Sequence, residues 1–145
     1  MIFEVKSEEQ TRQLARRLGE QLQGGTVIEL IGDVGAGKTT FVKGLAEGLA
    51  VDDEVQSPSF TISRVYEARD DMQLAHYDFY RLQDPGILAA EVDEVAKDPS
   101  IITVVEWADV VDGVLPAHRV RISIRSTSET DRQLTVTGLS EGVAL

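Results

Sequence analysis

Leu14, Leu18 and Leu22 recur every fourth residue near the start of the chain, with Ala15 on the same face. That spacing predicts an amphipathic helix. Ser7, followed by Gln10 three residues on, makes a capping box at its start, and Gly24-Gly25 ends it, so the helix is expected over residues 8–23. The pattern then changes. Thr26-Val27-Ile28-Glu29-Leu30-Ile31 is short, mostly apolar and rich in β-branched residues, as a buried strand is. A glycine-rich turn covers residues 32–37. Helical spacing returns over 39–49, carried by Phe41, Leu45, Ala46 and Leu49.

Ser57-Pro58 marks a loop. Phe60, Ile62 and Val65 suggest a strand over 60–66, a polar turn follows at 67–71, and a second strand is expected over 74–79. Asp84-Pro85-Gly86 breaks the chain, residues 87–96 read as a helix, and Asp98-Pro99 breaks it again. Ile101-Ile102-Thr103-Val104-Val105 is the most apolar strand candidate and ends in Glu106-Trp107. Two alternating runs close the chain, 119–124 with Val120, Ile122 and Ile124 inward, and 133–137 with Leu134 and Val136 inward. They predict a half-exposed antiparallel pair. Residues 140–145 are expected to fray. No boundary interrupts the series, so residues 1–145 are expected to form one domain.

A length of 145 residues agrees with one domain and suffices for one core. Lys plus Arg number 14 and Asp plus Glu 25, a net charge of −11. Proteins that grip nucleic acid unaided carry a basic footprint. This chain lacks one, so a role on RNA would need a basic partner. There is no cysteine, which excludes disulfides, thiolate metal sites and cysteine nucleophiles. The start, Met1-Ile2-Phe3-Glu4-Val5-Lys6, has no basic region followed by an apolar run, so no signal peptide is expected there. The apolar stretch 101–115 is cut by Glu106, Asp109 and Asp112, short of a membrane span. A cytoplasmic protein is expected.

The candidate chemistry lies in the glycine-rich turn. Gly32-Asp33-Val34-Gly35-Ala36-Gly37-Lys38-Thr39 fits the pattern G-x-x-x-x-G-K-[ST], between an expected strand and an expected helix. That context is what the phosphate-binding P-loop requires. Its glycines let backbone N–H groups turn inward and approach phosphate closely. The helix N-terminus adds partial positive charge. Lys38 would serve the β- and γ-phosphates, and Thr39 would place its hydroxyl on Mg²⁺. Thr40 could touch the α-phosphate or simply occupy the first helical turn. Acids at strand ends complete such sites by organising metal and water. Glu106, ending the most apolar run, and Asp78, ending a poorer one, are the candidates. Trp107 could cap the nucleotide or pack. His76 reads as a satisfied strand histidine rather than a catalytic base, and His118 carries no signal. A guanine-reading N-K-x-D is absent, as is a D-x-x-G switch, which disfavours GTP. The arginines are scattered rather than gathered into a kinase lid. The residues alone take the reading to an Mg-ATP-binding, hydrolysing protein.

Several stretches together resemble one family, the ATPase subunit of bacterial tRNA threonylcarbamoyladenosine biosynthesis, the TsaE family. They are Gly32-Asp33-Val34-Gly35-Ala36-Gly37-Lys38-Thr39-Thr40-Phe41, Val55-Gln56-Ser57-Pro58-Ser59-Phe60-Thr61, His76-Tyr77-Asp78-Phe79-Tyr80-Arg81-Leu82 and Val105-Glu106-Trp107. The resemblance implies an α/β P-loop NTPase-like domain. Its mixed, mostly parallel sheet is flanked by helices and followed by C-terminal antiparallel strands. It implies ATP and Mg²⁺ as ligands, Lys38 and Thr39 on the phosphates and metal, and Asp78 and Glu106 near the metal and the attacking water. Trp107 would lie close by. Ser57, Pro58, Ser59, Phe60 and Thr61 would form a switch-like loop, and Glu8 and Arg132 would approach the nucleotide. The implied partners are the threonylcarbamoyl transferase subunit and its inactive paralogue, which act on adenosine 37 of tRNA; tRNA is reached through that complex. ATP hydrolysis would cycle the complex. Departures exist: Ser59 stands where the family more often has threonine, Ala108 replaces a frequent proline, and residues 87–100 fit the usual helix poorly. Two other readings remain. A small-molecule kinase would need an acceptor pocket and lid for which the chain leaves little sequence. The other is a nucleotide-dependent binding switch with negligible turnover: no arginine finger is obvious, so hydrolysis in isolation is expected to be slow, and partners can supply such groups.

Overall fold

The alternating and apolar runs become seven strands of one mixed sheet in the computed structural model, which describes every residue except Ser59, Phe60 and Arg81. In chain order the strands are β1 (Ile2–Val5), β2 (Val27–Ile31), β3 (Ser63–Glu67), β4 (Gln73–Asp78), β5 (Ile101–Glu106), β6 (Val120–Ser126) and β7 (Arg132–Thr137). The helices are α1 (Glu8–Gln21), α2 (Lys38–Gly48) and α3 (Leu88–Lys97). Across the sheet the order is β1-β7-β6-β2-β5-β4-β3. The middle four, β6-β2-β5-β4, are parallel, and the outer pairings are antiparallel. The expected closing pair is β6 and β7.

Side chains alternate between the two faces of a strand. On one face Ile28, Leu30, Leu74, Ile102, Val104 and Ile122 pack with α1 and α2 through residues such as Leu14, Leu18, Phe41 and Leu45. On the other, Val27, Ala75, Tyr77 and Val105 meet Val92 and Ala96 of α3. Strand β5 is covered on both sides, which is why its sequence shows no alternation. Burying each large apolar side chain favours folding by about 1.5–3 kcal/mol. Close approach of α1 to α2 depends on Gly44, where an added Cβ would stand 2.3 Å from the Arg12 carbonyl oxygen. Alanine there would force the helices apart.

The structure amends the expectations locally. Strand β1 was not expected; it is a four-residue edge strand whose Phe3 and Val5 alone face the core, too short a pattern to stand out. Helix α1 stops at Gln21, because Leu22 turns extended (φ −71°, ψ 146°) and the Arg69 guanidinium donates to the carbonyls of Gly19, Glu20 and Leu22. Strand β3 begins at Ser63 rather than residue 60, because a turn on Pro58 intervenes, and Ser59 and Phe60 lie outside the described residues. The tail is not frayed: Gln21 exchanges two hydrogen bonds with the backbone of Ala144, and Leu139, Val143 and Leu145 pack on the core. No helix among the described residues is long and apolar enough to cross a membrane.

Parallel running of β2, β4, β5 and β6 brings their C-terminal ends to one rim. Ligands of α/β sheets bind at such rims. Ile31, Asp78 and Glu106 all end strands there.

Candidate functional site

The segment 32–37 leaves β2 and returns as α2. Gly35 (φ +84°) and Gly37 (φ +103°) are both left-handed, a conformation that costs glycine no side-chain clash. Gly37 is the N-cap of α2, and Asp33 accepts at its carbonyl from the Ala36 N–H at 3.0 Å. The loop therefore turns its amides over the N-terminus of an eleven-residue helix, an arrangement suited to an anion. Lys38 is buried at 8% exposure. Its Nζ donates to the Gly32 carbonyl at 2.6 Å, lies 3.7 Å from Glu106 Oε1, and sits 4.4 Å from the Trp107 ring centroid. Thr39 is exposed and Thr40 half-buried beside it.

The acids come from the neighbouring strands. Register sets Leu30 beside Glu106 and Glu106 beside Asp78, all on the face toward α2. Both carboxylates are buried. Burial raises the Asp78 carboxyl above the ordinary carboxylate range; the Tyr80 N–H, donating at 3.0 Å, opposes this, and the Glu106 charge adds to it. Two carboxylates so placed repel, and a cation between them would relieve the repulsion. Glu106 is engaged twice, with Oε2 2.5 Å from His76 Nε2 and Oε1 toward Lys38. The chain after Glu106 enters a left-handed residue, Trp107 (φ 55°, ψ 54°), an uncommon backbone for a bulky side chain. That turn sets the indole over the lysine and against Tyr80, with ring centroids 5.0 Å apart.

Two clefts flank the loop. One, of about 530 Å³, is lined by Asp33, Val34, Lys38, Trp107 and Arg125. The other, of about 450 Å³, gathers Glu8, Thr11, Gly37, Thr40 and Arg132. Glu8 and Arg132 thus share a cleft with the loop although 124 positions separate them. The start of α1 is fixed there by its capping box, Ser7 Oγ accepting from Gln10 N–H and Gln10 Oε1 from Lys6 N–H. Arg132 Nε donates to the Ala36 carbonyl at 3.1 Å, tying β7 to the loop. A larger cleft, about 640 Å³, lies around Gly24, His118 and Gly138 and contains none of the expected site residues.

Of the switch-like segment, Pro58 is buried and its carbonyl accepts from the N–H groups of Thr61 and Ile62. The Ile62 carbonyl in turn accepts from the Asp78 N–H at 2.8 Å, so the segment ends beside the acids. Ser57 is exposed; Ser59, Phe60 and Arg81 fall outside the described residues. The residue that sequence reasoning set aside is His76. Period-two alternation along β4 puts it on the same face as Asp78, and that was the signal available.

The donors fit Mg²⁺. Asp78, Glu106 and the exposed Thr39 hydroxyl offer hard oxygen donors, and among the described residues Lys38 is the one lysine or arginine within ion-pair distance of the buried acids. No three His, Cys, Asp or Glu side chains among the described residues converge into a cage. Mg²⁺ ordinarily takes one or two carboxylates and completes its shell with phosphate and water.

Comparison with known proteins agrees with this architecture. The family model described as "Threonylcarbamoyl adenosine biosynthesis protein TsaE" matches residues 5–134. The tRNA threonylcarbamoyladenosine biosynthesis protein TsaE of Bacillus subtilis is 36% identical over 135 residues, covering 90% of this chain and 81% of that protein. Its counterpart in Streptomyces coelicolor is 40% identical over 136 residues, covering 90% and 91%. The crystal structure of Bacillus subtilis YdiB superposes with a TM-score of 0.77 at 30% identity, covering 99% of this chain and 88% of that one. The chain belongs to the TsaE family of threonylcarbamoyl adenosine biosynthesis proteins.

Proposed function

We propose that this chain binds Mg-ATP on the loop 32–39 and hydrolyses it, and that hydrolysis cycles the complex that places threonylcarbamoyl on tRNA adenosine. The observation that carries the reading is the convergence of a left-handed glycine loop, a buried lysine and two buried strand-end acids on one rim. Binding follows from the loop amides, the α2 N-terminus and Lys38. To meet phosphate, the ammonium exchanges the Gly32 carbonyl for phosphate oxygens, a short displacement about a flexible stem. Thr39, Asp78 and Glu106 would hold Mg²⁺, which when bound supplies charge neutralisation across the phosphates. Glu106 would orient the attacking water and accept its proton. The cleft of Glu8, Thr40 and Arg132 would receive the nucleoside. Trp107, over Lys38, would shield the phosphates from bulk water.

Family membership connects this chemistry to tRNA modification. A net charge of −11 suits docking to proteins better than gripping tRNA, so the transferase subunit and its inactive paralogue are the proposed partners, with tRNA reached through them and the cytoplasm as the setting. Reconstitution tests the reading. The two transferase subunits with unmodified tRNA should perform many rounds of modification with this chain and ATP, and stall after about one round with Lys38→Ala. Sustained modification by Lys38→Ala would overturn it.

A further inference from the structure

His76 is 1% exposed, and nothing in the hydrolytic scheme above uses it. Its position is unusual for a strand histidine. On β4 it lies one row below Asp78, its Cα paired with Val104 on one side and with Arg64 on the other. From that row the ring reaches diagonally across β4 and β5 to Glu106, one row up. Nε2 stands 2.5 Å from Glu106 Oε2. The other ring nitrogen, Nδ1, is buried with no hydrogen-bond partner among the described residues.

This asymmetry sets the tautomer. A carboxylate only accepts, so the shared hydrogen belongs on Nε2. Nδ1 then stays a bare acceptor; a hydrogen on it would be a buried donor without an acceptor. A histidine with one donor aimed at one carboxylate oxygen cannot work as a base toward a phosphate-side water. It can fix how the carboxylate is turned. With Oε2 held by His76, Oε1 is the oxygen left facing Lys38, 3.7 Å away. Without that bond the Glu106 side chain has rotamers to explore and a buried charge with one partner fewer.

The geometry points to His76 as a positioning residue: through its Nε2–H it orients the Glu106 carboxylate so that Oε1 faces the phosphate side of the site. The inference rests on the proposed role of Glu106, and its tests include one that needs no hydrolysis. Outer partners of metal-site ligands typically change metal affinity or activity by about 10–100-fold when lost.

The first test is nitrogen NMR on the full-length ¹⁵N-labelled chain. Only two histidines are present, so His118→Gln assigns the signals. His76 should show the hydrogen on Nε2, and its Nε2 shift should move in Glu106→Leu. A hydrogen on Nδ1, or an Nε2 signal indifferent to Glu106→Leu, overturns the inference whether or not the chain hydrolyses ATP. The second test titrates ADP and Mg²⁺ by the fluorescence of Trp107, the sole tryptophan. His76→Leu should leave Mg²⁺-free ADP affinity within threefold of wild type while raising the Mg²⁺ needed for half-maximal effect tenfold or more. His76→Gln, whose amide can donate to the same oxygen, should recover most of that loss. Wild-type Mg²⁺ behaviour in His76→Leu overturns the proposal, as does equal loss of Mg²⁺-free binding in both variants. Should His76→Leu not fold, a tenfold Mg²⁺ defect in folded His76→Gln also counts against it. Failure of the proposed ATPase function would show separately, as absent hydrolysis in a chain whose His76 still carries its hydrogen toward Glu106.

Discussion

Replacing Glu106 by glutamine removes one charge and almost no volume. In the free protein that charge lies 3.7 Å from Lys38 Nζ, with both side chains buried. At an effective dielectric near 20 the attraction is about 4 kcal/mol before solvation is counted. Dehydration of the two ions offsets most of it. Each 1.4 kcal/mol that survives is a tenfold competition against phosphate for the lysine. The glutamine also repels phosphate less, and its amide oxygen still accepts from His76. Affinity for ADP without Mg²⁺ should therefore rise in Glu106→Gln by about 3–30-fold, whereas turnover with partners should fall by at least the roughly 10² that a positioned base supplies. Trp107 fluorescence reads the first quantity and phosphate release the second. Hydrolysis at the wild-type rate would refute the role given to Glu106. Weaker Mg²⁺-free binding would refute the electrostatic argument, since it would mean the carboxylate helps rather than hinders phosphate entry.

Three further outcomes are expected. Asp78→Asn should fold as well as wild type, because burial disfavours the charge it loses, but should need at least tenfold more Mg²⁺ for half-maximal hydrolysis; an unchanged Mg²⁺ titration would remove Asp78 from the metal site. Arg119→Ala should cost about 3 kcal/mol and about 10 °C in Tm, because the guanidinium side chain is 4% exposed and its loss leaves Glu29, at 13%, without its buried partner; calorimetry checks this. The Asp98 carboxylate accepts from the Ser100 hydroxyl at 2.7 Å and N–H at 2.8 Å, which holds it below its ordinary value of 3.8. Its stabilisation is complete above that value and is lost as pH falls through the lower, folded-state one. Asp98→Asn should therefore be less sensitive than wild type in acid unfolding below about pH 4, measured by circular dichroism.

What the sequence makes legible follows from the range of the interactions. The helix starts and the loop of residues 32–37 are local, written in Ser7, Gln10, the glycines and Lys38, and they stand where the pattern put them. Strand β5 is legible because being buried on both faces demands an unbroken apolar run, and Glu106 is conspicuous as the polar residue that ends it. Helix α1 ends two residues early because Arg69, some fifty positions away, satisfies its last carbonyls, and no local pattern records that. The left-handed Trp107 likewise lacks the glycine or asparagine that would announce it. His76 looked inert because a buried strand histidine normally needs only one partner. That its partner is Glu106 depends on β4 lying beside β5 in a register that only the assembled sheet sets.

On the proposed function, partners turn the ATP site over. The most direct measurement is phosphate release from Mg-ATP by the chain alone, and by the chain with both transferase subunits and unmodified tRNA. Slow release alone, stimulated by the partners and abolished in Lys38→Ala, is the predicted result. Equal rates with and without partners, or stimulated release that survives Lys38→Ala, would contradict it.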